Sequence, residues 1–168
     1  MPVLIVIMGV SGSGKSTIAA ALAKQYNYQF VEADDFHPTE NINSMRAGIP
    51  LTDKMREPWI QALCAHLTNA AKLNQSCILS YSGLRAEHRK RFSKLPFEPL
   101  FIQLDGAKEQ ILKRMDKRQG HFMTSDLLTS QFDSMEPPQT NEEIAFISIN
   151  QTVNDVINSA NQVINDWL

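Results

Sequence analysis

Residues 9–17 constrain the fold of this chain more than any other stretch. They match the pattern G-x-x-x-x-G-K-[ST] and read Gly9-Val10-Ser11-Gly12-Ser13-Gly14-Lys15-Ser16-Thr17. The apolar run at residues 4–8 is of strand type, and residues 18–23 are good helix formers. Strand, glycine-rich loop and helix in this order are the context that the motif requires, so the sequence predicts a binding loop for a nucleoside triphosphate.

Each residue type in this loop has a chemical reason. Glycines let successive backbone N–H groups turn toward an anion, and the N-terminus of the following helix adds a favourable dipole. The ammonium group of Lys15 can reach the β- and γ-phosphates, and the hydroxyl of Ser16 can ligate Mg²⁺. We therefore expect Lys15 in phosphoryl transfer and Ser16 as a metal ligand.

Composition narrows the classes of protein and partner. The chain has 168 residues and a net charge of −2, which predicts one domain and gives no electrostatic reason for a nucleic-acid partner. Cys64 and Cys77 are too few for a disulfide framework, which favours the reducing cytoplasm. The apolar N-terminus has no basic leader and runs into the loop motif, so we interpret it as a buried strand. No segment approaches the length of a membrane span.

Strand-like and helix-like segments alternate along the chain. We expect further strands at residues 29–33, 76–81, 100–104 and 144–149. Helices are predicted at residues 39–47, capped by Thr39, at 58–73, starting at Pro58, and at about 85–94, 107–118, 125–135 and 153–167. This alternation predicts an α/β fold, with a parallel sheet covered by helices on both faces. Cys64 falls in the apolar stripe of its helix, which favours a place in the core.

Polar residues after the second strand are candidates for acceptor chemistry, because ligands of such sheets bind beyond the C-terminal strand ends. Asp34, Asp35 and His37 lie there. A kinase needs a carboxylate that orients the acceptor hydroxyl and takes its proton, and we favour Asp34, at the strand end, for this role. Asp35 is equally compatible with capping the next helix, and His37 with a ligand contact or a plain turn.

Basic residues near the fourth strand are candidates for closing over the phosphates. Arg114 and Arg118 lie four residues apart on one predicted helix face, beside a small-residue break at Gly120. For Arg118, stabilisation of the transferred group and a solvated basic face are equally compatible.

Asp105 ends the fourth strand, where we expect it to cap the next helix rather than to bind Mg²⁺. Ligands for Mg²⁺ are then Ser16, phosphate oxygens and water, with Asp34 as a further candidate.

Several segments together resemble the small bacterial-type gluconokinases over nearly the whole chain. Besides the loop motif they are Asp34-Asp35-Phe36-His37-Pro38 with Asn41, Met45 and Gly48; Pro50-Leu51-Thr52-Asp53 with Arg56, Pro58 and Trp59; Arg118 with Gly120-His121-Phe122-Met123; and Leu127-Leu128, Ser130-Gln131-Phe132 and Glu136-Pro137. The resemblance implies ATP-dependent phosphorylation of D-gluconate to 6-phospho-D-gluconate with Mg²⁺. It also implies a P-loop nucleoside-triphosphate hydrolase fold, similar to nucleoside-monophosphate kinases, with a five-stranded parallel sheet and a lid at about residues 114–135 of a single domain.

The resemblance also assigns roles residue by residue. Asp34 matches the acceptor-site aspartate, and His37 and Arg56 match positions around the sugar acid, with Arg118 and His121 in the lid. The chain departs from the family pattern at Tyr81-Ser82-Gly83-Leu84-Arg85, where Cys-Ser-Ala-Leu-Lys is usual, and at Lys54-Met55, where an acidic pair is usual. Arg85 keeps the positive charge expected near the acceptor, although an arginine fork differs from a lysine point charge.

Three functional hypotheses follow. A sugar-acid kinase leads. A kinase for another small acceptor, such as shikimate or a nucleoside monophosphate, comes second, and a catalytically weak nucleotide-binding sensor third. The presence of Asp34, Arg56 and Arg118 argues against the sensor. The oligomeric state stays open, with a homodimer among the alternatives.

Overall fold

The computed structural model describes residues 1–116 and 125–168, which contain one parallel sheet. Its strands are β1 (Val3–Met8), β2 (Gln29–Glu32), β3 (Cys77–Tyr81), β4 (Glu98–Asp105) and β5 (Ile144–Ser148). They lie in the order β2-β3-β1-β4-β5, and every neighbouring pair is parallel. The predicted five-stranded parallel sheet is confirmed.

Helices cover both faces of this sheet. They are α1 (Lys15–Tyr26), α2 (Thr39–Arg46), α3 (Asp53–Lys72), α4 (Ala86–Ser93), α5 (Lys108–Asp116), α6 (Ser125–Ser134) and α7 (Val153–Trp167). A 3₁₀ turn over Ala33–Phe36 joins β2 to the segment before α2. In the described part of the chain no helix combines the length and apolar character needed to cross a membrane.

The central strand β1 shows why the sheet needs helices on both faces. Leu4 and Val6 belong to a core shared with α3 and α4, whereas Ile5 and Ile7 belong to a second core shared with α1 and α7. All four side chains are fully buried. A continuous apolar run is the expected pattern for a strand buried on both faces, because alternate side chains point to opposite sides.

Three local predictions are wrong. The helix predicted from Pro58 begins at Asp53, because the Thr52 hydroxyl caps it by accepting from the N–H of Met55 at 3.2 Å. Pro58 then lies inside α3, where its missing N–H leaves one carbonyl of the first turn without its helical partner. Thr39 does not cap α2, because it is already the first residue of the helix, and Pro38 is at the N-cap position, where its carbonyl accepts the first helical bonds. β2 ends at Glu32, so Asp34 lies in the 3₁₀ turn and is not the strand-end residue.

The strand order places the expected ligand crevice beside β1. The connection that follows β1 leads toward the edge of the sheet formed by β2, whereas the connection that follows β3 leads in the opposite direction, to β4. The two connections therefore diverge between β1 and β3, which is where ligands of such sheets bind. The loops that follow these two strands are joined directly, because the N–H of Gly9 donates to the carbonyl of Ser82 at 3.3 Å. The glycine-rich loop and the segment after β3 therefore line the same edge.

Candidate functional site

The loop between β1 and α1 has the geometry of a phosphate cradle. Gly12 and Gly14 have φ values of 85° and 93°, a backbone conformation that residues with side chains rarely adopt. α1 begins at Lys15, and the N–H groups of its first turn have no acceptor within the helix. The buried hydroxyl of Ser13 has no hydrogen-bond partner among the described residues. These donors fit the phosphate oxygens of a nucleoside triphosphate, with residues 9–17 around them.

The hydroxyl of Ser16 meets two further oxygen-bearing side chains. It donates to Oε2 of Glu32 at 2.5 Å and lies 3.1 Å from the hydroxyl of Ser80. Glu32 is the last residue of β2 and pairs in register with Ser80 of β3, so the sheet sets these two side chains side by side, and the first turn of α1 brings Ser16 against them. Burial raises the pKa of Glu32 above its ordinary value, although the hydrogen bond from Ser16 opposes this.

This arrangement changes the expected surroundings of a metal ion. Hydroxyl and carboxylate oxygens are the ligands that Mg²⁺ prefers, so Ser16 and Glu32 fit such an ion together with phosphate oxygens and water. Within residues 1–116 and 125–168, no group of three His, Cys, Asp or Glu could hold a metal alone. Sequence reasoning considered Asp34 and missed Glu32. The usable signal was its place at the C-terminal end of a strand next to β3.

A cleft of about 590 Å³ opens beside Lys15. Its wall brings together five of the residues predicted from the sequence, Ser11, Lys15, Asp34, His37 and Arg56. The remaining lining residues are Met45, Pro50, Leu51, Trp59, Ser82, Leu84, Leu127, Ser130 and Gln131. Cations, a carboxylate and hydroxyl groups converge on it, as they do in sites for small polar molecules.

His37 is held rigidly at the wall of this cleft. Its ring stacks on Trp59, with centroids 4.0 Å apart and planes inclined by 19°. Trp59 is itself anchored, because its indole N–H donates to the carbonyl of Ala33 at 2.7 Å. Nε2 of His37 lies 3.9 Å from Oδ1 of Asp34. Burial lowers the pKa of His37 to about 4, with Asp34 opposing and nearby Arg56 assisting, so the ring is neutral at physiological pH.

The two arginines predicted to face the acceptor differ in position. Both contact Asp53: Nη1 of Arg56 lies 3.1 Å from its Oδ1, and Nε of Arg85 lies 3.5 Å from the same oxygen. Arg85 also pairs with Glu136 at 3.0 Å and donates to the carbonyl of Ser134. Arg56 lines the cleft, whereas Arg85 is not among its lining residues. Of the two guanidinium groups, Arg56 is therefore the one placed for direct contact with an acceptor.

Tyr81, which replaces the cysteine usual in the family, is in the core rather than in the cleft. Its side chain is 1% exposed and packs against Trp59 and Phe92. Its hydroxyl lies 2.8 Å from Nδ1 of His88, so the polar group of this large residue is satisfied internally. The departure therefore changes the layer beneath Trp59 and not the lining of the cleft.

Two residues outside the predicted set connect the cleft to neighbouring segments. Arg89, on α4, is 3% exposed and donates to the carbonyls of Gly83, Glu136 and Pro137. Gln131, on α6, accepts from the N–H of Ser11 at 2.8 Å and so ties α6 to the glycine-rich loop. Sequence patterns identify Arg89 only as part of a charged helix, because its partners are backbone carbonyls from distant segments.

A second cleft of about 340 Å³ lies on the other side of the glycine-rich loop. Gly14 and Thr17 line it together with Arg114 and Gln151. Arg114 donates to the carbonyl of Ile149 at 2.9 Å, which fixes its guanidinium beside the loop after β5. Arg118 and His121, the other two residues predicted for the lid, lie outside the described residues.

Comparison with known proteins agrees with this geometry. A family model described as an AAA domain matches residues 4–138. The chain is 39% identical to the thermosensitive gluconokinase of Escherichia coli over 95% of this chain and 86% of that protein. A sugar kinase from Janibacter superposes with a TM-score of 0.92 at 38% identity, covering 98% and 95% of the two chains. A gluconokinase from Sinorhizobium meliloti does so with a TM-score of 0.82 at 34% identity, covering 99% and 96%. The chain therefore belongs to the gluconokinase family.

Proposed function

We propose that this protein transfers the γ-phosphoryl group of ATP to D-gluconate and so forms 6-phospho-D-gluconate. The observation that carries the proposal is the common cleft of Lys15, Asp34 and Arg56. It combines a phosphate-binding cation, a carboxylate for the acceptor hydroxyl and a guanidinium for the acid group of the sugar. The family relationship supports the choice of gluconate over other small acceptors.

Each side chain has a distinct task in this reaction. The acceptor hydroxyl oxygen forms a bond to the γ-phosphorus, the bond from that phosphorus to the bridging oxygen of ADP breaks, and Asp34 takes the hydroxyl proton. Lys15 stabilises the negative charge on the moving group. Arg56 binds the gluconate carboxylate, with His37 as a polar contact.

The cation and the nucleotide are assigned to the surroundings of the glycine-rich loop. Ser16 and Glu32 would hold Mg²⁺, which neutralises phosphate charge when it is bound. We assign the base and sugar of ATP to the second cleft, because it adjoins the glycine-rich loop at Gly14 and carries the guanidinium of Arg114. Two lid residues complete the set within a single domain on the strength of the resemblance: Arg118 closes over the phosphates, and His121 contacts the substrate.

Arg85 has an indirect task in this scheme. Since it shares Asp53 with Arg56, it keeps that carboxylate partly neutralised and leaves Arg56 with charge to offer the substrate. Arg85 then affects binding of the acid through Asp53 and Arg56, without contacting the acid itself. The cytoplasmic location and a homodimeric assembly stay predictions.

One assay tests the proposal. ADP release, coupled to an optical signal, is measured with gluconate, glucose, shikimate and nucleoside monophosphates at equal concentrations. We expect gluconate to react far faster than glucose, because gluconate, unlike glucose, carries a carboxylate for Arg56. A faster reaction with glucose, shikimate or a nucleoside monophosphate would contradict the assignment of the acceptor, and no turnover with any of them would favour a nucleotide sensor.

Arg56→Ala sharpens this test. A charge-assisted hydrogen bond contributes about 1.5–3 kcal/mol, which corresponds to a roughly 10- to 150-fold loss of kcat/KM for gluconate. KM for ATP should change much less. Arg46→Ala, on the exposed side of α2, is the matched control and should leave both values near those of the unmodified protein. A weaker affinity for ATP alone would move Arg56 to the phosphate side of the cleft.

A further inference from the structure

Asn41 is a buried polar residue beneath the cleft that the proposed reaction does not use. It is 2% exposed and lies on α2, between His37 and the first turns of α3. Its side-chain nitrogen Nδ2 lies 2.9 Å from the carbonyl oxygen of Met55 and 3.2 Å from Nδ1 of His37. One amide group therefore serves two neighbours at once.

The two contacts together fix where His37 carries its proton. The carbonyl of Met55 can only accept, so the NH₂ end of the amide must face it, and the reversed amide would set two oxygens against each other. The second hydrogen of the same NH₂ then points to Nδ1 of His37. Nδ1 must accept this bond, and in a neutral imidazole the proton is consequently on Nε2.

We propose that Asn41 is a positioning residue that holds His37 as the neutral Nε2–H tautomer. The amide selects the tautomer, and the stacking on Trp59 fixes the plane of the ring, so a single N–H is presented at the wall of the cleft. Nε2 lies 3.9 Å from Oδ1 of Asp34, too far for a hydrogen bond. Among the described residues no hydrogen bond engages this nitrogen, so it is available to a substrate oxygen.

The groups around His37 agree with a neutral ring. Asp34 from the 3₁₀ turn and Arg56 from α3 are the charged groups that act on it, in opposite directions, and Trp59 covers one face. Burial is the dominant influence and favours the neutral form. The direct hydrogen bond on Nδ1 comes from the uncharged amide of Asn41, which selects between neutral tautomers without adding charge.

The consequence for the chemistry rests on the proposed function. A ring with a proton on Nε2 can donate to an acceptor hydroxyl oxygen but cannot take the proton of that hydroxyl. Asp34 is then the group at this wall that accepts it. With the proton on Nδ1, the lone pair of Nε2 would compete for the hydroxyl proton and repel the carboxylate of Asp34.

The first experiment measures the tautomer directly in the protein without ligands. The ring nitrogens of ¹⁵N-labelled protein are observed by NMR near neutral pH, and the loss of signals in His37→Gln identifies those of His37. In the expected spectrum Nδ1 resonates far downfield, as an unprotonated nitrogen does, and Nε2 resonates in the protonated range. A proton on Nδ1, or equal populations of the two tautomers, would overturn the proposal.

The second experiment changes the selecting group. Asn41→Asp replaces the amide by a carboxylate that accepts from Nδ1–H, so the ring should become protonated on Nδ1. Asn43→Asp introduces the same charge at an exposed position of the same helix and should leave the His37 spectrum unchanged. If Nε2 remains the protonated nitrogen and Nδ1 stays bare in Asn41→Asp, Asn41 does not set the tautomer. Where Asn41→Asp does not fold, the spectrum of the unmodified protein decides alone.

Kinetics separate positioning from a purely structural role. The loss of one neutral hydrogen bond to the acceptor predicts a roughly 3- to 10-fold lower kcat/KM for gluconate in Asn41→Asp, with KM for ATP little changed. Equal losses for both substrates would indicate damage to the fold and contradict the positioning role. The spectrum needs no acceptor, so the expected tautomer combined with no phosphorylation of gluconate would reject the proposed function and keep the positioning role.

Discussion

Removal of the Arg89 guanidinium is expected to loosen the wall of the cleft from a distance. Nε and Nη2 of this group donate to the two carboxylate oxygens of Glu142 at 2.8 and 2.9 Å. Its remaining donors reach the carbonyls of Gly83 at 2.7 Å and of Glu136 and Pro137 at 3.2 Å. A guanidinium has five N–H groups, and here every one of them is used. Arg89 thus holds the loop after β3 to the segment after α6.

The magnitude follows from the burial of the pair. Arg89 is 3% exposed and the Glu142 side chain 19%. Removing one partner of a buried ion pair costs about 3–5 kcal/mol, because the other charge and its acceptors stay behind unpaired. For a protein of this size each kcal/mol shifts Tm by about 2–4 °C, so Arg89→Met should lower Tm by about 6–20 °C. Because water can reach the Glu142 carboxylate and partly solvate it, we expect a decrease in Tm in the lower half of this range.

The same pair predicts a dependence of stability on pH. The hydrogen bonds from Arg89 hold the pKa of Glu142 below its ordinary value of 4.5. A carboxyl group with a lowered folded-state pKa contributes stability that is fully present above the unfolded-state pKa. This contribution is lost as the pH falls through the folded-state value. The difference in unfolding free energy between the unmodified protein and Glu142→Gln should therefore be constant near neutrality and shrink in acid.

Urea unfolding of both variants, with a matched control, tests the reasoning. Arg91→Met removes an arginine from the same helix whose ion pair with Glu57 is far more exposed, so its cost should be about 0–1 kcal/mol. KM for gluconate should rise several-fold in Arg89→Met, because Gly83 loses its anchor between the cleft residues Ser82 and Leu84. A stability loss no larger than that of Arg91→Met, together with an unchanged KM, would refute the anchoring role.

Further predictions concern the reacting groups. Lys15→Ala should lower kcat at least about 100-fold with little change in the Tm of the nucleotide-free protein, and a near-normal kcat would contradict its role. Asp34→Asn should lower kcat by about 10²–10⁴ with ATP affinity within a few-fold, whereas Asp35→Asn stays near normal; the reverse result would identify Asp35 as the base. Glu32→Gln should raise the Mg²⁺ concentration needed for half-maximal activity about 10- to 100-fold, and an unchanged Mg²⁺ titration would exclude Glu32 from the metal site.

The sheet could be predicted because its signals are local. The apolar runs of β1 and β3 are short, continuous and bounded by turn residues, and the motif at residues 9–17 fixes a strand before it and a helix after it. Helix starts were harder, because two plausible signals competed. Pro58 is favourable in a first turn, but the hydroxyl of Thr52 offered an earlier start and a hydrogen bond, and the cap prevailed.

The candidate site was predictable only where a residue acts by its own chemistry. Lys15 and Asp34 were selected because a phosphate needs a cation and an acceptor needs a carboxylate, and the fold places both at one cleft. Arg85 shows the limit, since its charge suggested contact with the acid but the fold pairs it with Asp53 and Glu136. Whether a charge faces a ligand or a neighbouring side chain depends on contacts between distant segments, which sequence spacing does not encode.

Glu32 and Asn41 extend this argument from charge to protons and metal ions. Glu32 looked like an ordinary strand residue, and the register between β2 and β3 is what sets it against Ser80 and Ser16. Asn41 entered the sequence reasoning only as part of the resemblance to gluconokinases, yet the carbonyl of Met55 orients its amide and the amide in turn decides which nitrogen of His37 is protonated. A residue of this kind acts through the donor or acceptor character of a neighbour. Its importance is best measured by the state of that neighbour, and the ring nitrogens of His37 report it more directly than the rate of the reaction.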